Sequence, residues 1–439
     1  MKNSKIHILF IAVFATFQLG AQTILTKKEA IKIALENNYG IKIAYNNVEV
    51  AKNNSGIYNS RYLPSVSAST GANYSNNNQD ITAQSGAATI VNGAVTKSYN
   101  ASVNLKYTLF DGLGRKYNYQ QLKETYNLSQ LQVRETIENT YLQLFTVYFQ
   151  IARLSENTNS LQEALTISKQ RLKRAEYQYE YGQSTKIALL NAQVDVNNDS
   201  VSLLNTRQQY SNAKRSLNIV LGVAKQQDFE VETVVNFNRL LEFSELLELA
   251  KSNNTLLKKN KKNIAISAFN IKINKASFLP KVSLTTSYGW NKSTNPATSF
   301  FAQSQSNGMN AGLNLSWNIF DGGSTKTRVA NSKIALETQK IAQQQQKETV
   351  TNTLKSTWDS YQNSLFILKA QEQNIQTSQN NFNRTGEKYK LGQVTSIEFR
   401  QAQVNLINTK TALINAKFDA KLIELQLLQL SGQLINSTI

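Results

Sequence analysis

The sequence predicts an internally duplicated α+β fold in which long helices alternate with pairs of β-strands. The first observation is repetition: "FDG" at Phe110 returns at Phe320, an offset of 320 − 110 = 210 residues, and "YGQST" at 181–185 returns as "LGQVT" at 391–395 with the same offset. The second is a change from period-two to helical patterning at each "FDG". A repeat of this kind indicates one architecture built from two halves.

Motifs near the start of each half have a different offset. "ALENN" at 34–38 parallels "AKSNN" at 250–254, and "YLP" at 62–64 parallels "FLP" at 278–280, with an offset of 280 − 64 = 216 residues. The two offsets differ by 216 − 210 = 6 residues, so the first half is six residues longer between Pro64 and Phe110 than the second half is between the equivalent positions. We expect this extra length to lie in a loop.

The N-terminus has the three parts of a secretory signal: Lys2 and Lys5, an apolar run to Leu19, and small residues before Gln22. We expect residues 1–21 to be removed on export. The predicted organisation is a first repeat at 22–221 (helix, two strands, long helix, helix), a linker at 222–243, a second repeat at 244–432 and a tail at 433–439.

The first helix of the first repeat is expected at 27–59, ending before Pro64. A strand then begins near Val66, and its partner alternates strictly from Tyr99 to Leu109, with apolar residues at odd positions and Asn, Ser, Lys or Thr between them. Such alternation indicates a strand with one apolar and one polar face.

The second repeat has the same pattern, with partner strands near Val282 and from Met309 to Ile319. Polar loops are expected at 75–97 and 291–308. Each half then contains one hairpin with strands of about 10–12 residues, long enough to cross a membrane when tilted.

Helical spacing follows each "FDG", with apolar residues three and four apart, as in a coiled coil. Helices are expected at 115–180 and 185–220. The first would span about 100 Å, as would the helices at 27–59 and 185–220 placed in line.

Phe-Asp-Gly therefore marks the junction of a strand with a long helix. Gly112 and Gly322 permit a sharp turn. Asp111 and Asp321 can accept an amide hydrogen bond at the helix start.

Composition excludes several classes of chemistry. The chain has no cysteine, and its one histidine is His7. Disulfides, thiolate or imidazole metal sites, and Cys-His or Ser-His catalytic pairs are therefore excluded from the mature chain. A hydrolase using carboxylates alone remains an alternative, although no paired carboxylates stand at a strand end or loop. We predict no enzyme activity and no cofactor.

The net charge of +19 is spread along both halves, with its densest cluster in "LKKNKKN" at 257–263. The first interpretation is that these Lys and Arg residues lie on solvent-exposed helix faces. A long coiled-coil structural or nucleic-acid-binding protein is the principal alternative. If many of these cations lined a tunnel, its field would favour anionic solutes.

Four strands cannot close a barrel in lipid, because an open sheet edge leaves backbone groups unpaired. Two copies would give eight strands and a filled bore, whereas three would give twelve strands and room for a channel. The polar face, with Lys106, suits water and favours the trimer. Interfacial aromatic residues would be Tyr74, Tyr99, Tyr288, Trp290 and Trp317.

Four features occur together in this sequence: the duplicated element order, "ALENN", Leu-Pro before each first strand, and the paired segments "YGQSTKIALLNAQ" at 181–193 and "LGQVTSIEFRQAQ" at 391–403. In these features the chain resembles the TolC-like outer-membrane efflux proteins over essentially its whole mature length. The resemblance implies a homotrimer with a twelve-stranded transmembrane barrel in the outer membrane and an α-barrel tunnel in the periplasm. It also implies docking on a periplasmic adaptor protein that leads to an inner-membrane transporter.

The resemblance further implies that two turns form the periplasmic tip that contacts the adaptor, namely Gly182, Gln183, Ser184, Thr185, Gly392, Gln393, Val394 and Thr395. It implies a gate at Glu398, Gln401 and Tyr389. The family commonly has an acidic residue three positions after the tip threonine; here Glu398 occupies that position in the second repeat and Ala188 in the first.

Overall fold

The computed structural model describes residues 24–223, 228–237 and 241–437. The predicted signal at 1–21 and His7 lie outside the described residues. The helices are α1 (Lys27–Asn37), α2 (Tyr39–Asn54), α3 (Gly114–Glu180), α4 (Lys186–Leu221), α5 (Phe243–Asn253), α6 (Thr255–Ala276), α7 (Ser324–Lys390) and α8 (Ser396–Leu430). The strands are β1 (Ile24–Leu25), β2 (Ser65–Thr82), β3 (Ala88–Phe110), β4 (Glu230–Val231), β5 (Lys281–Thr294) and β6 (Gln303–Ser316).

The chain divides into two compact units. Unit 1 comprises the described residues within 1–42, 137–248 and 353–439, and unit 2 comprises Ile43–Thr136 and Leu249–Asn352. The two longest helices, α3 and α7, have 67 residues each and contribute to both units. The predicted α+β class and the predicted bounds of α3 and α4 are confirmed to within one residue.

Unit 2 contains one four-stranded sheet with the order β2-β3-β5-β6. Every neighbouring pair is antiparallel. Both hairpins are present, as the alternation predicted. Strands β2 and β6 form the two edges of the sheet.

The predicted loops at 75–97 and 291–308 were wrong, because β2 and β3 extend to 18 and 23 residues and β5 and β6 to 14 each. Only 83–87 and 295–302 connect them. The Asn- and Ser-rich segments pair because ladder hydrogen bonds use the backbone, so polar side chains do not end a strand. The extra length of the first hairpin therefore lies in its strands and not in a loop. In the second hairpin, β6 ends at Ser316, before the predicted strand positions Trp317 and Ile319.

The two "FDG" junctions have the predicted turn and cap. Gly112 and Gly322 both have φ of +67°. The Oδ2 atom of Asp111 accepts the Arg115 amide at 3.0 Å, and that of Asp321 accepts the Thr325 amide at 2.8 Å. At the first junction a Cβ on Gly112 would lie 2.6 Å from the Ala276 carbonyl oxygen, so glycine is also required there by close packing.

The single helix predicted at 27–59 was wrong, because Asn38 interrupts it. Asn38 has ψ of 125°, its Oδ1 accepts the Ile41 amide at 3.1 Å, and its Nδ2 donates to the Val220 carbonyl at 2.8 Å. In the second repeat Asn254 separates α5 from α6 and its Oδ1 accepts the Leu256 and Leu257 amides. The last asparagine of "ALENN" and "AKSNN" is therefore a helix cap.

The core of unit 1 is built on one fully buried stretch of α3. Phe145, Tyr148 and Phe149 are 0% exposed and pack against Phe418 of α8 and Leu217 of α4. The Tyr148 hydroxyl donates to the Leu25 carbonyl at 2.7 Å, which ties β1 to the core beside its parallel partner β4. Within the described residues, no helix is both long enough and apolar enough to span a membrane.

Candidate functional site

The two predicted tip segments are tight turns of the same geometry. Between α3 and α4, Gly182 has φ of +72°, and the Gln183 amide donates to the Gln178 carbonyl at 2.7 Å. Between α7 and α8, Gly392 has φ of +75°, and the Gln393 amide donates to the Lys388 carbonyl at 2.9 Å. This left-handed glycine closes the last turn of the preceding helix and reverses the chain.

A threonine caps the helix that leaves each turn. The Thr185 hydroxyl accepts the Ala188 amide at 3.3 Å. The Thr395 hydroxyl accepts the Glu398 amide at 3.2 Å, and the Glu398 carboxylate in return accepts the Thr395 amide at 2.7 Å. The second turn therefore has a reciprocal capping box that the first lacks.

The capping box lowers the pKa of Glu398, through the hydrogen bonds from the Thr395 amide and hydroxyl. The structure thus places the carboxylate against its own helix start. Gln401 is also exposed, and its Nε2 donates to Asn405 Oδ1 at 2.9 Å on the same helix.

Tyr389 packs as an aromatic core residue. It is 9% exposed, its ring stacks on Phe399 with centroids 4.9 Å apart, and the Arg174 guanidinium lies 4.6 Å from its centroid. These contacts join the ends of α3, α7 and α8. Residues of both turns, including Ser184, Thr185, Gly392 and Thr395, line one groove of unit 1, together with Glu398 and Tyr389.

A buried network of charges, not predicted from the sequence, lies just behind the turns. Arg400 of α8 binds both oxygens of Asp199 on α4, with Nη1–Oδ2 at 2.7 Å and Nη2–Oδ1 at 2.8 Å. Arg171 of α3 binds Asp195 at 3.1 Å, and Arg400 reaches the same carboxylate at 3.4 Å. Two arginines and two aspartates thus connect three helices.

Neutral groups complete the network. The Ser168 hydroxyl donates to Asp199 at 2.5 Å, and the Gln403 amide donates to the Ala164 carbonyl at 2.8 Å. Burial opposes the charge on Arg400, but the hydrogen bonds and charge of Asp199, with the charge of Asp195, outweigh it and raise the pKa of Arg400. Paired and hydrogen-bonded in this way, the charges are tolerated inside the bundle.

One sequence signal could have revealed this network. Ser168 and Arg400 stand at positions where the coiled-coil repeat calls for apolar residues. Asp195 and Asp199 are one helical turn apart on α4, so they lie on the same face of that helix. A charge at a seam position requires a partner of opposite charge. In the residues that the structure describes, no group of three or more His, Cys, Asp or Glu is placed to hold a metal ion.

The architecture matches known structures across its length. The outer-membrane channel CmeC of Campylobacter jejuni superposes with a TM-score of 0.77 at 18% identity, covering 93% of this chain and 86% of that one. Duplicated helical hairpins joined to paired strand hairpins define the fold class of this channel structure.

The sequence comparisons agree with this class. Residues 30–223 and 246–433 match the family described as Outer membrane efflux protein. The outer membrane efflux protein BepC of Brucella suis is 20% identical over 332 residues, covering 76% of this chain and 72% of BepC. The outer membrane protein TolC of Vibrio cholerae is 22% identical over 313 residues, covering 69% and 70%. The chain belongs to the outer membrane efflux protein family.

Membership confirms the predicted resemblance and the location in the outer membrane, with the helices in the periplasm. It also establishes an efflux role. The matched family and BepC are described as outer membrane efflux proteins, so the structural or nucleic-acid-binding alternative is set aside.

Proposed function

We propose that three copies of the chain form the exit duct of a tripartite efflux or type I secretion system, through which substrate passes passively. The single observation that carries this proposal is the open sheet of unit 2. Its edge strands, β2 with 18 residues and β6 with 14, are hydrogen-bonded on one side only.

An open edge of this length requires a partner in lipid, because water does not satisfy its backbone groups there. Pairing of β6 in one copy with β2 in the next satisfies both edges. Three copies then close a barrel of twelve strands, wide enough to conduct, with the apolar face against outer-membrane lipid.

Helix α4 supplies independent support for a second copy. Ile187, Leu190, Val194, Val201 and Leu204 follow coiled-coil spacing, yet each is between 48% and 69% exposed in the single chain. The sequence predicts a packed seam here. A neighbouring copy that covers this stripe would provide the missing packing partner.

The turns at 182–185 and 392–395 are the proposed contact with a periplasmic adaptor, which connects the duct to an inner-membrane transporter. Their largely exposed position and tight helix–turn–helix form support this role. Glu398, Gln401 and Tyr389 beside the second turn are the proposed gate. The duct needs neither catalytic residues nor nucleic acid.

The first test is the mass of the protein extracted from outer membranes in detergent, measured by light scattering corrected for detergent. We expect three copies, and we expect conductance when this species enters a planar bilayer. A monomeric mass, or recovery only in the soluble fraction, would contradict the proposal.

A second test separates docking from assembly. Substitution of Gln183 and Gln393 by Ala should reduce export in cells while the trimer mass and bilayer conductance stay unchanged. Glu398→Gln is the gate variant, and it should change conductance or ion selectivity without changing assembly. Normal export by the double tip variant would remove the turns from the docking surface.

A further inference from the structure

The sheet of unit 2 has two chemically different faces, set by its register. Five consecutive rows of one face run from Ser65–Lys106–Thr285–Gly312 to Asn73–Ser98–Ser293–Ser304. Every position in these rows is Ser, Thr, Asn or Gly, apart from Lys106. We call this set of rows the polar face.

The opposite face defines the depth at which Lys106 lies. Along β5 it presents Val282, Leu284, Thr286, Tyr288 and Trp290, a run of about 26 Å at 3.3 Å per residue, and then Lys292. This height matches the apolar band of a transmembrane barrel, about 25 Å. Lys106 pairs with Thr285, so it lies within that band but on the other side of the sheet.

The large side chains of the two faces line different hollows of the sheet. One hollow is lined by Ala101, Val103, Tyr288 and Trp290. Another is lined by Lys106 with residues of the other three strands, including Ser65, Thr285 and Asn310.

No carboxylate is available to neutralise Lys106 within the sheet. In the four strands, all of which the structure describes, Asp80 is the one acidic residue, and it pairs with Ile90 near the far end of β2. The cross-strand neighbours of Lys106 are Ser65 and Thr285, both neutral. Lys281, the first residue of β5, adds a second cation on the same side.

We propose that Lys106 is a selectivity residue of the duct, which favours the passage of anionic solutes through the membrane-spanning part. The proposal rests on the proposed trimeric duct, because the polar face becomes the lumen only when three copies close the sheet. Each copy then contributes one Lys106 at the same level, within five rows that are otherwise neutral, and one Lys281 at the end of β5.

The physical reason is the fixed field of these cations. A ring of like charges in a water-filled pore with low-dielectric walls concentrates counter-ions and excludes ions of its own sign. The field extends about 10 Å at 0.1 M salt and about 3 Å at 1 M, so the preference should weaken as salt rises.

The experiment measures the reversal potential of the purified protein in planar bilayers under a KCl gradient. Lys106→Gln should lower the chloride-to-potassium permeability ratio at least about twofold at low salt, and Lys106→Glu should lower it further. Lys292→Gln removes a lysine from the opposite face of the same sheet. This matched control should leave the ratio unchanged.

Because the chain has no cysteine, a second measurement can be made within one channel. In Lys106→Cys, a cationic water-soluble methanethiosulfonate should restore the chloride preference, whereas an anionic one should reverse it. This readout compares the same folded channel before and after modification.

The outcomes separate the two proposals. If the native protein forms no conducting trimer, the duct fails and the role of Lys106 fails with it. If the channel conducts but neither the Lys106 variants nor the modified cysteine changes the permeability ratio, the role of Lys106 is overturned and the duct stands.

Discussion

Arg400 and Asp199 form a two-point ion pair that joins α8 to α4, with both N–O distances below 2.9 Å. Their side chains are 18% and 10% exposed. The pair lies behind the two tip turns and beside Arg171 and Asp195. It therefore fastens one helical hairpin of the chain to the other at the end where the candidate gate lies.

Removal of one partner should destabilise this end of unit 1. Arg400→Gln leaves Asp199 without its two guanidinium contacts, at an expected cost of about 3 kcal/mol. We expect a lower thermal unfolding midpoint for the detergent-solubilised protein and faster amide exchange at the start of α8. Lys340→Gln breaks the exposed Lys340–Glu337 pair and should cost at most about 0.5 kcal/mol. Equal effects of the two substitutions would contradict a structural role for the buried pair.

Gly222 should tolerate no side chain. It ends α4 with φ of +69°, and a Cβ there would lie 2.3 Å from the Asn37 carbonyl oxygen. Gly222→Ala should therefore cost well over the 1–2 kcal/mol of the left-handed conformation alone, roughly 3 kcal/mol or more. Gly182→Ala has a similar φ of +72° but meets nothing within 4 Å. The control should thus show only the conformational cost, and a similar loss of thermal stability in both would argue against the clash.

The first turn of α8 should depend on pH in a way that α4 does not. The pKa of Glu398 is lowered by the Thr395 amide and hydroxyl, so the carboxylate stabilises the turn above its unfolded pKa. That contribution is lost as pH falls through the lowered folded pKa. Amide protection at the start of α8, relative to α4, should fall between about pH 5 and pH 3. The equivalent position in α4 is Ala188, which provides the internal reference, and an unchanged ratio would contradict the capping box.

Tyr148 should stabilise the junction of the N-terminal strand with the linker. Its hydroxyl donates to the Leu25 carbonyl at 2.7 Å and accepts the Glu232 amide at 3.0 Å. Tyr148→Phe keeps the ring but leaves both backbone groups without this partner, at a cost of about 1–3 kcal/mol. The exposed Tyr74→Phe is the control, and thermal unfolding is the measurement. An unchanged midpoint for Tyr148→Phe would show that these two bonds add nothing.

The sequence by itself determined the features that arise from neighbours along the chain. Period-two alternation identified the four strands, and helical spacing identified α3 and α4. In each "FDG" the aspartate caps the following helix and the glycine makes the turn, as predicted. The tip glycines belong to the same group. Each depends on local backbone geometry, which a few adjacent residues specify.

Only the tertiary structure decided what depends on residues distant in the chain. Strands β2 and β3 continue through Asn- and Ser-rich segments because each supplies the other's backbone partners. Asn38 ends α1 while donating to Val220, and Arg400 can be buried because Asp199 and Asp195 lie on a neighbouring helix. A local pattern records the propensity of a segment, but it does not record which distant groups satisfy its hydrogen bonds and charges.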